Sequence, residues 1–421
     1  MRILVLGSGA REHAIVKALL RENPARDEPH HIIAAPGNAG MAAEVETVAL
    51  NANDPALVAD FAVDNDIDLV VIGPEAPLVA GVADALRPRG IAVFGPGKAA
   101  AAIEGSKAFA KRIMESAGVP TGAAVRAGTL EEVERALDEI GAPYVIKADG
   151  LAAGKGVLVT TDRAAAVEHA TFWLQHGGVL VEEFLEGREV SLFFITDGTH
   201  VLPLSPAQDF KRALDGDLGP NTGGMGAYTP LPWLPEGFVA EVTERVALPT
   251  IRQLAAERTP FMGLLYCGLI VTPGGEIKVI EFNARFGDPE TQAVLARLRT
   301  PLSTLLYAAA TGTLGGMPAP EFTADVALAV VLASEGYPEA PVTGRVIRGL
   351  ETVADVAGVA IDHAATARNA AGEFVATGGR VLAVVATAPD FPSARAKAYA
   401  ALGMIELEGG HYRADIAAGV G

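Results

Sequence analysis

One segment of this 421-residue chain combines residue types that suit metal-assisted phosphoryl chemistry. Residues 281–292 read EFNARFGDPETQ and begin inside an apolar stretch, VIEF, that predicts a β-strand. Alternation along this strand places Glu281 and Asn283 on one face. Two hard oxygen donors at this spacing predict a magnesium site that phosphate oxygens and water complete. If the strand continues, Arg285 lies on the same face and meets the anion held by the metal.

A second anion site is predicted at residues 147–157, KADGLAAGKGV. This is not a P-loop, because Gly156 stands where a Ser or Thr would hold magnesium and a strand follows instead of a helix. We expect a strand–loop–strand flap whose amides and Lys155 close over a triphosphate. An ordinary hairpin with a solvated lysine is the alternative.

Carboxylates follow at the end of the next predicted strand, in the sequence EEFLEGRE. Glu182 and Glu183 suit ribose hydroxyls, while Phe184 and Leu185 offer main-chain groups and apolar surface to an adenine. A solvated strand edge is the usual reading of such charges. The phosphate-type flap just before them favours a nucleotide site.

The first hundred residues alternate apolar strands with helical stretches, which predicts a doubly wound parallel sheet. Ligands bind at the carboxyl ends of strands in such sheets, and those ends carry GSGARE, PGNAG, GPEAP and GPG. Glu12 replaces the third glycine of a dinucleotide fingerprint, so NAD is disfavoured. A sugar phosphate with Arg11 on the phosphate fits better. A tight turn with Arg11 and Glu12 as a surface pair is an equal alternative.

A long glycine-rich loop is predicted at residues 208–228, QDFKRALDGDLGPNTGGMGAY. Loops of this length usually form sites or lids. Asp209 suits an amine, and Lys211 suits a carboxylate or phosphate. A mobile surface loop is the alternative. Further along, strands are predicted at 325–334 and 380–387, and one helix is predicted earlier at 99–117.

The composition limits the partners. The net charge is -18, which disfavours nucleic acid and anionic membrane surfaces. The single cysteine, Cys267, lies in the apolar run LLYCGLIV and indicates a buried thiol in a reducing compartment. No apolar run is long enough for a membrane span, and the N-terminus resembles a strand rather than a signal peptide. We expect a cytoplasmic monomer or weak homodimer with small-molecule substrates.

Together these segments resemble the phosphoribosylamine–glycine ligase family of the ATP-grasp superfamily. The likeness spans the chain and is carried by LGSGAREHA, APGNAG, GPEAPLVAG, EGSKAFAK, KADGLAAGKGV, EEFLEGREVS, QDFKRALDGDLGPNTGGMGAY, IEFNARFGDPETQ, GGRVL and YRADIA. It implies an α/β protein with an ATP-grasp fold. A Rossmann-like (pre-ATP-grasp) domain at 1–101 would precede the core at 102–324, with a flap inserted at about 122–188. A small C-terminal α/β domain would occupy 325–421.

The resemblance also implies a reaction and residue roles. The family joins 5-phosphoribosylamine to glycine through glycyl phosphate, releasing ADP and phosphate, with ATP and Mg²⁺ or Mn²⁺. The implied catalytic residues are Arg285, Asp209 and Lys155. The implied ATP ligands are Lys107, Lys147, Gly154, Lys155, Gly156, Glu182, Glu183, Phe184, Leu185 and Glu189. The metal ligands would be Glu281 and Asn283, and the substrate residues Gly9, Arg11, Glu12, Asn38, Glu75, Asp209, Lys211 and Arg285.

Three other functions remain as alternatives. The nearest is another ATP-grasp carboxylate–amine ligase, acting on formate or bicarbonate. A non-catalytic nucleotide sensor and an NAD dehydrogenase are the others. Many ATP-grasp enzymes carry a further carboxylate on the strand before the metal motif, where this chain reads LLYCGLIV. That departure leaves the number of metal ions open.

Overall fold

The computed structural model describes residues 1–25, 27–150 and 156–420. In this part of the chain, no helix combines the length and the apolar character that crossing a membrane requires. The predicted ATP residues Gly154 and Lys155 lie outside the described residues.

The N-terminal elements form the parallel layer that the sequence predicts. They are β1 (Arg2–Gly7), α1 (Ala10–Leu20), β2 (His31–Pro36), β3 (Glu46–Thr47), α2 (Pro55–Asp64), β4 (Leu69–Ile72), α3 (Glu75–Ala80), α4 (Val82–Leu86), β5 (Ala92–Phe94) and α5 (Lys98–Gly105). The sheet order is β3-β2-β1-β4-β5, with parallel pairing throughout. Its central strands are buried because helices cover both faces. Their carboxyl ends therefore carry the predicted substrate loops at one edge.

A smaller unit contains the predicted flap. Its elements are α6 (Lys107–Ala117), β6 (Ala124–Ala127), α7 (Leu130–Ile140), β7 (Tyr144–Ala148), β8 (Val157–Thr160), α8 (Arg163–Leu174) and β9 (Val179–Glu182). The strands form an antiparallel sheet in the order β6-β9-β7-β8. Lys147 pairs with Val157, so the two strands predicted on either side of the flap are confirmed. The unit has its own apolar core between this sheet and the two helices α7 and α8.

The predicted single helix at 99–117 is wrong, because Ser106 interrupts it. Ser106 has an extended backbone (φ -138°, ψ 116°), and its hydroxyl accepts a hydrogen bond from the amide of Phe109. Serine in this position caps a new helix rather than continuing an old one. The break sets Lys107 at the first position of α6, beside the flap.

The central sheet carries the metal motif. The next elements are β10 (Arg188–Asp197), β11 (Val201–Pro203), β12 (Gln208–Asp209), β13 (Arg212–Leu214), β14 (Leu218–Asn221), β15 (Gly226–Thr229), α9 (Phe238–Val242), α10 (Leu248–Ala256), β16 (Met262–Val271), β17 (Ile277–Asn283), α11 (Glu290–Arg297) and α12 (Leu302–Thr311). The antiparallel order is β11-β10-β16-β17. Cys267 is buried on β16, as expected. Since β17 ends at Asn283, the expectation that Arg285 continues the strand is wrong.

The prediction of a loop at 208–228 is also wrong, because most of this segment forms short strands. β13 and β14 form a two-stranded hairpin. β12 and β15 join a sheet with strands from the C-terminal part of the chain. The elements of that part are β18 (Val326–Ala333), β19 (Ile347–Arg348), α13 (Leu350–Ala354), β20 (Val359–His363), β21 (Thr366–Arg368), β22 (Phe374–Ala376), β23 (Arg380–Ala388), α14 (Phe391–Leu402) and β24 (Glu406–Leu407). The order of that sheet is β12-β15-β18-β23-β20. Strands from both sides of residue 325 thus share one sheet.

A polar contact joins the N-terminal and C-terminal parts. The backbone amide of His363 donates to Nδ1 of His13 at 2.8 Å, and Lys17 pairs with Asp362 at 3.1 Å. Gly40 packs directly against this contact. A Cβ atom added at Gly40 would lie 2.4 Å from Cγ of His363.

We therefore expect Gly40→Ala to destabilise the protein. Overpacking a close contact of this kind costs about 1–3 kcal/mol of unfolding free energy. The matched control is Gly274→Ala, whose added Cβ would find its nearest contact at 3.9 Å. Urea unfolding of both variants measures the difference, and equal stability of the two would contradict the tight packing against His363.

Candidate active site

Two lysines meet one buried carboxylate where the flap joins the core. Lys147 Nζ lies 2.9 Å and Lys111 Nζ 3.3 Å from Oε2 of Glu182. Lys147 also donates to the carbonyl of Ile280, next to the predicted metal ligand Glu281. Two ammonium groups on one carboxylate leave net positive charge at this point, which suits a polyphosphate.

The carboxylate of Glu281 lies among cations. Burial would raise its pKa, but the charges of Lys211, Lys147 and Lys107 outweigh burial and lower it. The pKa of Lys107 is itself lowered by burial, against the opposing charge of Glu281. Lys107 also donates to the carbonyl of Gly150 at 3.0 Å. Lys107, Lys147 and Lys211 thus all lie near the predicted metal ligand Glu281.

The donor set fits a hard divalent cation. Glu281 and Asn283 supply a charged carboxylate and an amide, and their side chains hydrogen-bond to each other. Among the described residues no group of three or more His, Cys, Asp or Glu side chains forms a complete metal cage. A Mg²⁺ bound here would therefore complete its octahedron with phosphate oxygens and water.

The predicted adenosine residues begin at Glu182, the last residue of β9, and continue into the segment that follows it. Glu183 accepts from the amide of Ala123 at 3.0 Å and lies 3.6 Å from Nζ of Lys278. Phe184 is exposed and Leu185 is half-buried. Glu189 pairs with Lys211 on the neighbouring side. The backbone amide of Ala148 donates to the carbonyl of Gly156 at 2.7 Å.

Arg285 lies in the bend after β17, between two carboxylates from other elements. Its Nη2 is 3.0 Å from Oε1 of Glu104, and its Nε is 3.4 Å from Oε2 of Glu75. Burial would lower the pKa of Arg285, but Glu104 and Glu75 raise it. The pKa of Glu75 is lowered despite burial, chiefly by Arg285. The predicted phosphoribosylamine residue Glu75 thus meets the arginine predicted to hold glycine.

The N-terminal anion loop reaches the same place. Arg11 Nη1 and Arg285 Nη1 both donate to the carbonyl oxygen of Phe286, at 3.1 and 3.2 Å. Arg11 also pairs with Glu12 at 2.5 Å, and Glu12 accepts from the amide of Gly9 at 2.7 Å. The two arginines are therefore close neighbours, although they lie 274 positions apart in sequence.

Two predicted substrate residues organise the loops around this point. Glu12 is buried beneath Gly7 and Gly73, where an added Cβ would lie 2.5 and 2.1 Å from its side chain. Asn38 donates to the carbonyls of Ser8 and His363 and accepts from two following amides. Both side chains make protein contacts in this structure, and their contact with substrate stays a prediction.

Asp209 and Lys211 lie among further charges, those of Glu189, Glu281 and Glu290. Burial raises the pKa of Asp209 to about 7, with Lys211 opposing and Glu290 and Glu189 contributing. Burial would lower the pKa of Lys211, but Asp209, Glu189 and Glu281 raise it well above its ordinary value. One carboxyl of this pocket can thus exchange a proton near neutral pH.

Several residues of this cleft had no role predicted from the sequence. Glu104 contacts Arg285, and Lys111 contacts Glu182. Both lie in the segment EGSKAFAK. Glu290 is buried, and one of its oxygens accepts from Tyr266 at 2.6 Å and Ser191 at 3.1 Å. Arg380, from GGRVL, donates to the carbonyl of Asp288 at 2.7 Å. Their place in quoted motifs was the available signal, since none has a distinctive spacing.

The arrangement supports phosphoryl transfer to a carboxylate followed by attack of an amine. Lysines and the predicted metal ligands occupy one end, and Arg285 occupies the middle. The loop that carries Arg11 adjoins Arg285 at the carbonyl of Phe286, and Lys211 lies near Glu281. No covalent nucleophile is required, and Cys267 is buried with a raised pKa.

Three family models cover almost the whole chain. The phosphoribosylglycinamide synthetase N domain matches residues 1–104, the ATP-grasp (A) domain 105–291 and the C domain 327–419. Phosphoribosylamine–glycine ligase of Leifsonia xyli subsp. xyli is 68% identical over 99% of this chain and 100% of its own length. The enzyme of the same name from Streptomyces coelicolor is 54% identical over 99% of each chain.

Solved structures agree in fold. A phosphoribosylamine–glycine ligase from Thermotoga maritima superposes with a TM-score of 0.84 at 33% identity, covering 99% of this chain and 100% of that one. Biotin carboxylase from Campylobacter jejuni has a TM-score of 0.74 at 15% identity, covering 99% and 94%. The second likeness extends to the fold alone.

The raised pKa of Asp209 predicts a pH-dependent stability. An unfolded aspartate titrates near about 3.9, so between about pH 4 and pH 7 the native state holds one more proton than the unfolded state. The free energy of unfolding contributed by this group then falls as pH rises through that range. Asp209→Asn removes the effect, so the stability of the variant relative to wild type should increase with pH.

Urea unfolding across that pH range measures the difference. Asp138→Asn is the control, because Asp138 is a largely exposed aspartate of α7. A pH-independent difference between Asp209→Asn and wild type would contradict the raised pKa.

Proposed function

Since the chain belongs to the phosphoribosylamine–glycine ligase family, we infer that it joins 5-phosphoribosylamine and glycine in purine biosynthesis. ATP drives the ligation, and glycinamide ribonucleotide, ADP and phosphate are the products. One observation supports this function above the others. Arg11 and Arg285 donate to the same carbonyl, so the proposed sugar-phosphate loop adjoins the arginine proposed to bind the glycine carboxylate.

In the first step, the glycine carboxylate attacks the γ-phosphate of ATP and ADP leaves. Lys107 and Lys147 hold phosphate oxygens, and Lys155 acts from the flap. Arg285 orients the glycine carboxylate and neutralises the glycyl phosphate that forms. This chemistry needs positioning and charge neutralisation rather than a protein nucleophile.

Glu281 and Asn283 would hold Mg²⁺ or Mn²⁺. The metal supplies charge neutralisation on the β- and γ-phosphate oxygens when it is bound. The lowered pKa of Glu281 keeps this ligand ionised. Lys211, one of the three cations around it, links the metal end of the cleft to the amine end.

In the second step, the amine of phosphoribosylamine attacks the acyl carbon and phosphate leaves. Arg11 and Glu75 lie beside Arg285, which supports binding of the sugar phosphate next to the activated glycine. The attacking amine loses a proton as the amide forms. Asp209 is suited to take it, because its pKa of about 7 allows exchange near neutral pH. We propose that the reaction takes place in the cytoplasm.

Substrate-dependent ADP release tests this function. ADP should form with Mg–ATP, glycine and freshly generated phosphoribosylamine, and omission of either co-substrate should reduce it to background. ADP release with formate instead of glycine would favour the alternative ligase. Tight Mg–ATP binding without turnover would favour a nucleotide sensor.

Loss of Arg285 should affect turnover more than binding of ATP. Arg285→Ala removes a preorganised charge at the transferring group, and we expect kcat to fall by at least roughly a hundredfold. Arg299→Ala is the control, since Arg299 is exposed beyond α11. The assay is steady-state ADP release. Retention of more than about a third of wild-type kcat would exclude the assigned role.

Arg11 should act on the other substrate. Arg11→Lys keeps a positive charge beside buried Glu12 but loses the planar fork that reaches both Glu12 and the carbonyl of Phe286. We expect KM for phosphoribosylamine to rise by about tenfold, with KM for ATP unchanged. Arg89→Lys, on an exposed pair with Asp60, is the control. A rise in KM for ATP alone would mean that the substrates are assigned to the wrong loops.

A further inference from the structure

We propose that the C-terminal segment 413–415 is a positioning device for the amine end of the active site. It holds the β13–β14 hairpin and Phe210, and through them it fixes Asp209 and Lys211. The proposal rests on the function proposed above for those two residues. Arg413 touches no substrate in this scheme and is a positioning residue.

The hairpin follows directly on the segment that carries the two site residues. β13 begins at Arg212, immediately after Lys211. At the base of the hairpin, the amide and hydroxyl of Thr222 both donate to the carbonyl of Lys211, at 2.7 and 2.9 Å. A displacement of the hairpin therefore displaces the backbone of Lys211.

Arg413 holds the hairpin from the C-terminal side. Its guanidinium binds Asp415 with two hydrogen bonds of 2.7 and 2.6 Å. The same group donates to Asp217 at 2.8 Å and to the carbonyl of Arg212 at 3.2 Å. Asp217 belongs to the hairpin tip, so one side chain bridges its start, its tip and the C-terminal segment.

Backbone contacts reinforce this bridge in both directions. The amide of Gly216 donates to Asp415, and the amide of Ala414 donates to Asp215, each at 2.8 Å. Asp217 adopts a left-handed backbone (φ 55°), which costs free energy for a residue other than glycine. The reciprocal contacts with the C-terminal segment stabilise that conformation.

The interaction reaches the site residues through Phe210. The guanidinium carbon of Arg413 lies 4.9 Å from the centre of the Phe210 ring. Phe210 stands between Asp209 and Lys211 and is fixed by backbone hydrogen bonds to Gly226 and Met225. The arginine thus packs against the residue that separates the two proposed substrate ligands.

Burial makes the arrangement rigid. Only 1% of Arg413 is exposed, although it carries a full charge. Burial would lower its pKa, but hydrogen bonds to Asp415 and Asp217 raise it. A buried charge with this many partners has no alternative orientation of similar energy. The hairpin is consequently held in one position relative to the C-terminal sheet.

A positioning role predicts a selective kinetic effect. The phosphate ligands Lys107 and Lys147 lie on α6 and β7, which the segment 413–415 does not touch in the described contacts. Loss of the interaction should therefore raise KM for glycine or phosphoribosylamine by a larger factor than it changes the affinity for ATP, to which Lys211 is linked, among the described residues, only through Glu281 and Glu189. A merely structural arginine would lower stability and the amount of active enzyme without separating the substrates.

The test uses Arg413→Met and Asp217→Asn in the full-length protein. Arg413→Met should raise KM for glycine or phosphoribosylamine at least fivefold, and Arg413→Lys should recover part of it. Asp217→Asn removes an exposed partner (70% exposed) and should give a change of two- to threefold in the same direction while the protein folds normally. Hydrogen exchange of 212–221 should accelerate in both variants. Affinity for a non-hydrolysable ATP analogue, measured by calorimetry, should remain within twofold.

Arg395→Met is the matched control. Arg395 holds the same tail through the carbonyls of Ile416 and Ala414 but has no described contact with the hairpin. If Arg395→Met and Arg413→Met gave the same kinetic change, the effect would be general loosening of the tail and the proposal would be overturned. Unchanged KM values with unchanged exchange in Asp217→Asn would also overturn it. Failure of the proposed function would appear differently, as absent ligation by the wild-type enzyme.

Discussion

Pairing of opposite charges inside a partly enclosed cleft is the constraint on which this active site depends. The chain carries a net charge of -18, yet its cleft gathers lysines and arginines. The enclosed cations lie against buried carboxylates: Lys147 and Lys111 share Glu182, and Arg285 pairs with Glu104. Removing one partner of a buried pair typically costs about 3–5 kcal/mol, because the other charge is left uncompensated. The carboxylates therefore keep the cations in place, and anionic substrates must compete with them for the same groups.

Local patterns in the sequence predicted the N-terminal strands and helices, but they did not predict every element or which elements contact each other. Apolar runs followed by glycine turns predicted the parallel N-terminal sheet, because that pattern reflects burial of each strand. Ser106 was missed as a helix break, since a lone serine within an alanine-rich stretch carries little local signal. The segment 208–228 looked like a loop because its glycines obscure short strands, which form by pairing with one another and, for β15, with β18. Contacts such as that of Arg11 with Phe286 join residues 275 positions apart, which no local pattern reveals.

The site residues also differ in whether local sequence spacing could predict them. Glu281 and Asn283 could be paired from strand alternation alone, because both lie within β17. Arg285 lies beyond the strand, so its orientation depends on Glu104 and Glu75 from other elements. Glu290 could not be singled out from its type, since its environment of Tyr266 and Ser191 comes from two different strands. Resemblance to the family's motifs indicated which segments are functional, which residue spacing alone did not.

The sheet shared across residue 325 limits how this protein can be divided. β15 pairs with β18 through four residue pairs, from Gly226 with Val330 to Thr229 with Ala327. A fragment beginning at β18 would leave one side of a fully buried, eight-residue strand without a neighbour. Such an unpaired apolar edge favours self-association. Exchange of the C-terminal part between related enzymes would therefore have to carry β12 and β15 with it, so the modular unit is defined by strand pairing rather than by position in the chain.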